Sequence, residues 1–223
     1  MGPVGRRVMM QIKRLDLGHL FIERSQWPVH GYVILHDQLG TILVDTGCGG
    51  PDEVMRYYSV VNRTVAQALG EHDLAPIDVN MVINTHLHFD HCGQNPAFDH
   101  APLVVQRSEH ERIFRERDEV TDWIEASGMR FELIDGDVQL AEDLRIITTP
   151  GHTSGHQSVI ATTPSGTELF IGDAAYTRAI WDHASVSSKL PSGQAADTDS
   201  WHQTLASLRA RQPEKIHFCH DAS

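Results

Sequence analysis

His86-Leu87-His88-Phe89-Asp90-His91, residues 86–91, decides how this chain is read. The segment before it, 79–84 (VNMVIN), has the length and apolar content of a buried strand. Four ligand-type side chains therefore crowd into six residues where a strand ends. In extended chain, residues two apart share a face, so His86 and His88 can hold one ion together. Asp90 and His91 are adjacent and cannot point the same way in a regular strand; a turn after His88 would swing them toward a second ion. Nothing in packing requires such a cluster. Histidine is the commonest metal-binding side chain, and the chain has 15 of them against 18 Lys and Arg.

Three more candidates stand at strand ends downstream. His152 lies in the glycine-rich turn PGHTSGH (150–156) after a strand at 144–149, Asp173 follows a strand at 167–171, and His220 ends a last strand at 215–219. Each marks a point where the chain leaves a sheet, so one rim can collect them. Imidazole and carboxylate donors without thiolate suit Zn²⁺, and Fe, Mn or Co can occupy the same set.

Working outward, 32–37 (YVILHD) and 41–46 (TILVDT) read as a hairpin turning at Gln38, Leu39 and Gly40. Helical spacing runs from Asp52 to about Leu69, with Gly70 as a stop. A short strand is expected at 103–106, and Ser108 with Glu111 forms a capping-box signature for a charged helix on which His110, beside Glu109 and Glu111, should be solvated. Further strands are expected near 130–134 and 157–162, and a helix at 200–211 before Pro213. The stretch 178–199 lacks periodicity and reads either as a surface connection or as a loop over the substrate. Strands in runs with helices between them point to layered sheets with helices outside.

At 223 residues the chain is expected to form one domain over 1–223. A net charge of −12 argues against nucleic acid as a partner, because such binders neutralise phosphates with clustered Lys and Arg. Three cysteines (Cys48, Cys92 and Cys219) cannot all pair, which favours a reducing, cytoplasmic setting. Arg6, Arg7, Lys13 and Arg14 precede no apolar signal core, and no run approaches the ~18 apolar residues of a membrane span, so neither secretion nor a membrane is expected.

The set His86-x-His88-x-Asp90-His91, His152, Asp173 and His220 resembles the metallo-β-lactamase superfamily of hydrolases. The resemblance implies an α/β fold, an αββα sandwich of two mixed sheets packed face to face with helices outside and metals at one edge. It implies two divalent ions, the first bound by His86, His88 and His152, the second by Asp90, His91 and His220, with Asp173 bridging. Within the superfamily the strings HLHFDHCGQN (86–95), PLVVQRSE (102–109), PGHTSGHQS (150–158) and GDAAYT (172–177) are most similar to N-acyl-homoserine lactonases. That resemblance implies hydrolysis of a lactone ester by a metal-bridging hydroxide, and hence quenching of bacterial quorum signals. Tyr176 would donate a hydrogen bond to the developing oxyanion or ring oxygen, and Asp90 would pass a proton to the leaving alkoxide.

The region before His86 is shorter than in those lactonases, and the first 30 residues match loosely. Another small lactone, of the pyridoxine-breakdown or γ-butyrolactone type, therefore stays open as substrate. A glutathione thioesterase is disfavoured because no basic cluster is evident, and a β-lactamase because Asp173 stands where the zinc class places a cysteine ligand. An iron oxygenase would use the same scaffold. Phe89, Trp27, Ile180 and Trp181 are the candidate substrate-binding residues; Phe89 and Trp27 read equally as core or edge packing. His156 and Gln157 are either hydrogen-bonding partners of the ligands or turn residues, and Cys92 and Cys219 read as small buried packers. Monomer and homodimer are left undecided.

Overall fold

The computed structural model describes residues 10–22, 24–183 and 193–222. Its chain order begins with strands β1 (Gln11–Ile22), β2 (Ser25–His36) and β3 (Gly40–Val44), then helix α1 (Asp52–Tyr57), β4 (Val61–Asn62), α2 (Val65–Gly70) and β5 (Val79–Ile83). After these come α3 (Phe89–Cys92), β6 (Leu103–Gln106), α4 (Arg107–Glu116), α5 (Thr121–Ser127) and β7 (Phe131–Ile134). The remainder is β8 (Val138–Ala141), β9 (Leu144–Thr148), β10 (Gln157–Thr163), β11 (Gly166–Phe170), α6 (Arg178–His183), α7 (Thr198–Ala210) and β12 (Lys215–His217).

Two mixed sheets result, a seven-stranded one ordered β4-β1-β2-β3-β5-β6-β7 and a five-stranded one ordered β12-β11-β10-β9-β8. Period-two alternation decides how they stack. On β2 and β3, Tyr32, Ile34, Ile42 and Val44 face inward and meet Ile146, Val159, Ala161 and Phe170 of the second sheet. Their neighbours Val33 and Leu43 face the other way, into a cluster with Val65, Leu69 and Ile113 from α2 and α4. The second sheet does the same, turning Ile147, Ile160 and Leu169 outward against Trp201, Leu205 and Leu208 of α7. Helices on both outer faces and apolar side chains between the sheets make the αββα sandwich that the resemblance implied.

Parallel pairing fixes where the functional residues emerge. β3, β5 and β6 run parallel, as do β11 and β12. Asp45 therefore leaves β3, and His86 leaves β5, on the same rim; Asp173 and His220 follow the ends of β11 and β12. The β2–β3 hairpin pairs Tyr32 with Val44 and His36 with Gly40, the turn expected, with Gly40 at φ 76°.

Several local expectations are corrected. The helix expected from Asp52 to Leu69 is broken into α1, the strand β4 and α2. Ser59 adopts φ 46°, Asn62 pairs with Gly18 of β1, and Thr64 opens α2 with a capping box to Gln67. The Ser108–Glu111 box does not form, because α4 already begins at Arg107 with Gln106 at its cap and no side-chain cap bond. His110, expected to be solvated, lies against Phe114 and Phe131, and its neighbour Glu109 is fully buried. The last strand stops at His217. Strands β1 and β8 and helix α5 carried no clear signal. Of the aperiodic stretch 178–199, residues 178–183 form α6, while 184–192 lie outside the described residues, as do Arg6 and Arg7. Among the described residues no helix is long and apolar enough to cross a membrane.

Candidate metal centre

Asp45 organises the rim. Its backbone sits at φ 59°, and its carboxylate accepts the Thr85 N–H (2.7 Å) and Thr85 hydroxyl (2.8 Å). The same carboxylate holds Nδ1 of His91 at 2.8 Å, which directs Nε2 of that ring to the centre. The turn after His88 is the one-turn helix α3, with His88 at its N-cap. It rotates Asp90 and His91 off the strand's axis, as their adjacency required. Three of the remaining rings have a partner on the outer nitrogen, His86 through Nδ1 to the Thr85 hydroxyl at 3.1 Å. Nδ1 of His152 donates to the Gln194 carbonyl (3.2 Å) and Nδ1 of His220 to the Pro28 carbonyl (2.8 Å). Ligating histidines characteristically hydrogen-bond outward in this manner.

Nε2 of His86, Nδ1 of His88 and Nε2 of His152 form a triangle with sides of 2.9, 3.0 and 3.1 Å. On the other side, Asp90, His91 and His220 bring one donor each within 4.8 Å of one another. Asp173 stands between the two groups. Its Oδ1 lies 3.3 Å from Nε2 of both His91 and His220, whereas its Oδ2 lies 3.4 Å from Nε2 of His152 and 3.8 Å from that of His86. His156 accepts the Asp173 N–H at 3.0 Å, so its place is behind the bridging carboxylate.

These donors fit divalent cations. A tetrahedral ion with bonds of about 2.0–2.1 Å spaces its ligands about 3.3–3.4 Å apart, close to the histidine triangle. His91 Nε2 and Asp173 Oδ1 are buried without any hydrogen-bond partner, although buried polar atoms are normally satisfied. Burial opposes a charged His91, yet the carboxylates of Asp173, Asp90 and Asp45 raise its pKa well above the ordinary value. Burial, reinforced by the neighbouring rings, instead lowers His86 well below it. One half of the centre thus draws positive charge, and the other offers neutral imidazole lone pairs.

A cavity of about 930 Å³ opens above the centre. Asp90, Asp173, His88, His152 and His220 form its floor, with Tyr176, Trp27, Phe89, Tyr58, Leu20, Phe21 and Ile22 among its walls. Tyr176 meets Trp27, His152 and His220 edge-on at ring-centroid distances of 5.7, 5.6 and 5.5 Å. Burial, together with the charges of Asp173 and Asp90, raises its phenol well above the ordinary value, leaving a neutral hydroxyl able to donate. Phe89 stacks on Tyr58 at 4.7 Å, serving as wall and core at once.

Ile180 and Trp181 do not line this cavity. They pack with Leu205 and Leu208 on the outer face of the second sheet, where Arg209 covers the Trp181 ring. The helical turn of α6 points them away from the rim. Cys92 and Cys219 are buried and free, the latter with its thiol 3.8 Å from Asp45. Sequence reasoning passed over Asp45, Glu109, Gln194 and the β1 wall. Asp45 had one local signal, a carboxylate before Thr46 and Gly47 at the end of an apolar strand.

A two-sheet sandwich with helices on both outer faces, carrying five imidazoles and two carboxylates on one rim, defines an αββα metalloprotein. The chain belongs to the metallo-β-lactamase superfamily, whose family model matches residues 24–220. An N-acyl homoserine lactonase from Bacillus thuringiensis is 34% identical over 167 residues. That match takes in 68% of this chain and 65% of the relative's length, just under two thirds of it. The N-acyl homoserine lactonase AttM of Azorhizobium caulinodans is 33% identical, across 87% of this chain and 82% of its own. Among solved structures, a quorum-quenching N-acyl homoserine lactone lactonase superposes with a TM-score of 0.79 at 26% identity, covering 96% of this chain and 93% of that one. An N-acyl homoserine lactone hydrolase with N-hexanoyl-L-homoserine at its catalytic metal centre gives 0.78 at 25% identity, over 96% and 94%.

Proposed function

We propose that this chain is a metal-dependent lactonase that opens the ester of N-acyl-homoserine lactones, using two Zn²⁺ ions. His86, His88 and His152 would hold one ion, Asp90, His91 and His220 the other, and Asp173 both. The observation that carries this reading is the Asp173 carboxylate, which turns one oxygen toward each donor group beneath the cavity. Divalent ions held there supply Lewis-acid polarisation of the carbonyl and a water of lowered pKa. The relatives' names and the bound acyl-homoserine product of the structural neighbour support the lactone as substrate.

The protein's own side chains do the rest. Tyr176, kept neutral by burial, donates a hydrogen bond to the oxygen on which charge develops, a preorganised donor aimed at the developing charge. Asp90, with Oδ2 3.5 Å from His220 Nε2, carries a proton from the attacking water to the leaving ring oxygen. One C–O bond forms, the ring C–O bond breaks, and the product acid releases a proton at neutral pH. Trp27, Phe89, Tyr58 and the β1 residues offer an apolar wall to the acyl chain. A cytoplasmic setting is supported by the three free, buried cysteines.

The test is a pH-drop screen with parallel metal analysis, covering homoserine lactones of several chain lengths, plain γ-butyrolactones, thioesters and a β-lactam. Acyl-homoserine lactones should be opened, activity should vanish on exhaustive chelation, and Zn²⁺ should restore it. Full activity in the chelated protein overturns the metal role. Turnover of a non-acylated lactone alone overturns the substrate.

A further inference from the structure

Gln194 lies in the stretch that sequence left aperiodic, yet it is wholly buried. Its side-chain amide spans the turn that joins Asp173 to Tyr176. Nε2 donates to the Asp173 carbonyl at 2.7 Å, and Oε1 accepts the Tyr176 N–H at 3.0 Å. That turn departs from regular helix: Gly172 has φ 53°, Asp173 sits at φ −93°, ψ 15°, and Ala175 is extended. The two backbone groups that Gln194 satisfies therefore lack the partners that a continuing helix would supply. A carboxamide carries one acceptor and a donor in the arrangement of a peptide group, so Gln194 stands in for a missing strand of backbone. Its own segment is tied to the ligand turn, since the Asp197 N–H donates to the Gly151 carbonyl at 3.0 Å.

Resting on the lactonase reading above, we propose that Gln194 is a positioning residue that sets the Tyr176 hydroxyl relative to the Asp173 carboxylate. The main-chain carbonyl of Gln194, which holds His152, survives any side-chain change at this position, so the side chain's role is separable from that of the metal ligand. Met at 194 keeps the volume and removes both hydrogen bonds. Glu keeps the shape and the acceptor, but places an oxygen where the Asp173 carbonyl expects a donor.

The experiment is a double-mutant cycle of Q194M and Q194E with Tyr176→Phe, on Zn²⁺-loaded protein, with metal content measured for every variant. If Gln194 acts through Tyr176, Q194M lowers kcat by about tenfold with KM within about twofold, and less than about twofold when Tyr176 is already Phe. Zinc per chain stays at the wild-type amount. An equal loss in both backgrounds, or loss of zinc in both Gln194 variants, overturns the proposal. A crystal structure of Q194M gives a readout that needs no substrate. A Tyr176 ring displaced from Trp27 and His152 supports positioning, and an unmoved ring refutes it. If the wild type opens no lactone, the functional reading fails by itself, and the crystallographic arm still decides Gln194.

Discussion

Glu109 gives the sharpest test of how the centre is held. Its carboxylate has no exposure and accepts four hydrogen bonds: the Leu87 N–H at 3.0 Å, Arg112 Nε and Nη2 at 3.1 and 2.8 Å, and the Thr153 hydroxyl at 2.7 Å. One side chain thereby ties the loop carrying His86 and His88 to the turn carrying His152. Burial alone would raise its pKa, but the bonds and charge of Arg112 and the Thr153 hydroxyl bring it below the ordinary glutamate value. Glu109→Ala removes one partner of a buried ion pair, which costs about 3–5 kcal/mol. The loss is not larger because Arg112 keeps Asp118 at 2.8 Å. For a chain of this size, about 2–4 °C per kcal/mol implies a melting temperature lower by roughly 6–20 °C. Glu109→Gln keeps acceptor and shape but not charge, and should lose about half of that. The assay is thermal denaturation at pH 7 at fixed excess Zn²⁺, because bound metal itself adds stability. A group with a depressed folded pKa stabilises above its unfolded pKa and loses that contribution as pH falls through the folded value. The gap between wild type and Glu109→Gln should accordingly narrow in acid. An alanine variant melting within about 2 °C of wild type would refute the reasoning.

Asp173→Asn should lower zinc content and activity together, since an amide bridges two cations poorly; elemental analysis alongside the rate assay checks it, and full occupancy counts against bridging. Gly93→Ala should abolish soluble expression or cost several kcal/mol, because a Cβ there would sit 1.8 Å from the Gly49 nitrogen. Denaturant titration measures it, and a near-neutral result would mean that the backbone yields. Tyr58→Ala removes the ring stacked on Phe89 and should raise KM several-fold for long acyl chains more than for short ones, read from kinetics across chain lengths. No dependence on chain length would place the acyl chain elsewhere.

Much of the sandwich was legible because burial imposes local periods. Strands β3, β5, β6 and β10, and the second half of β2, are short apolar runs bounded by turns, whereas the first half of the 12-residue β2 was not read as strand. The ligand set stood out because HLHFDH packs donors more densely than any core needs. Strand β1 escaped because charged and apolar residues mix in it: Leu15, Leu17 and Leu20 are its buried residues, a spacing with no strict alternation. The long helix expected after Asp52 failed for a related reason. Its apolar spacing was real, but pairing of Asn62 with β1, a non-local contact, outweighed helix propensity.

From the order of residues alone came the donor types, their positions at strand ends and the class of metal chemistry that such donors permit. Only the folded chain decided which ring nitrogen of each histidine faces the centre, that Asp173 turns one oxygen each way, and that Asp45, Glu109 and Gln194 hold these groups in place. Ile180 and Trp181 went the other way, apolar enough for a cavity wall yet carried by α6 into the outer core. The physical reason is common to all of them. Donor identity is covalent and local, whereas direction depends on hydrogen bonds and packing between segments far apart in the chain, as with Asp45 and His91 or Gln194 and His152.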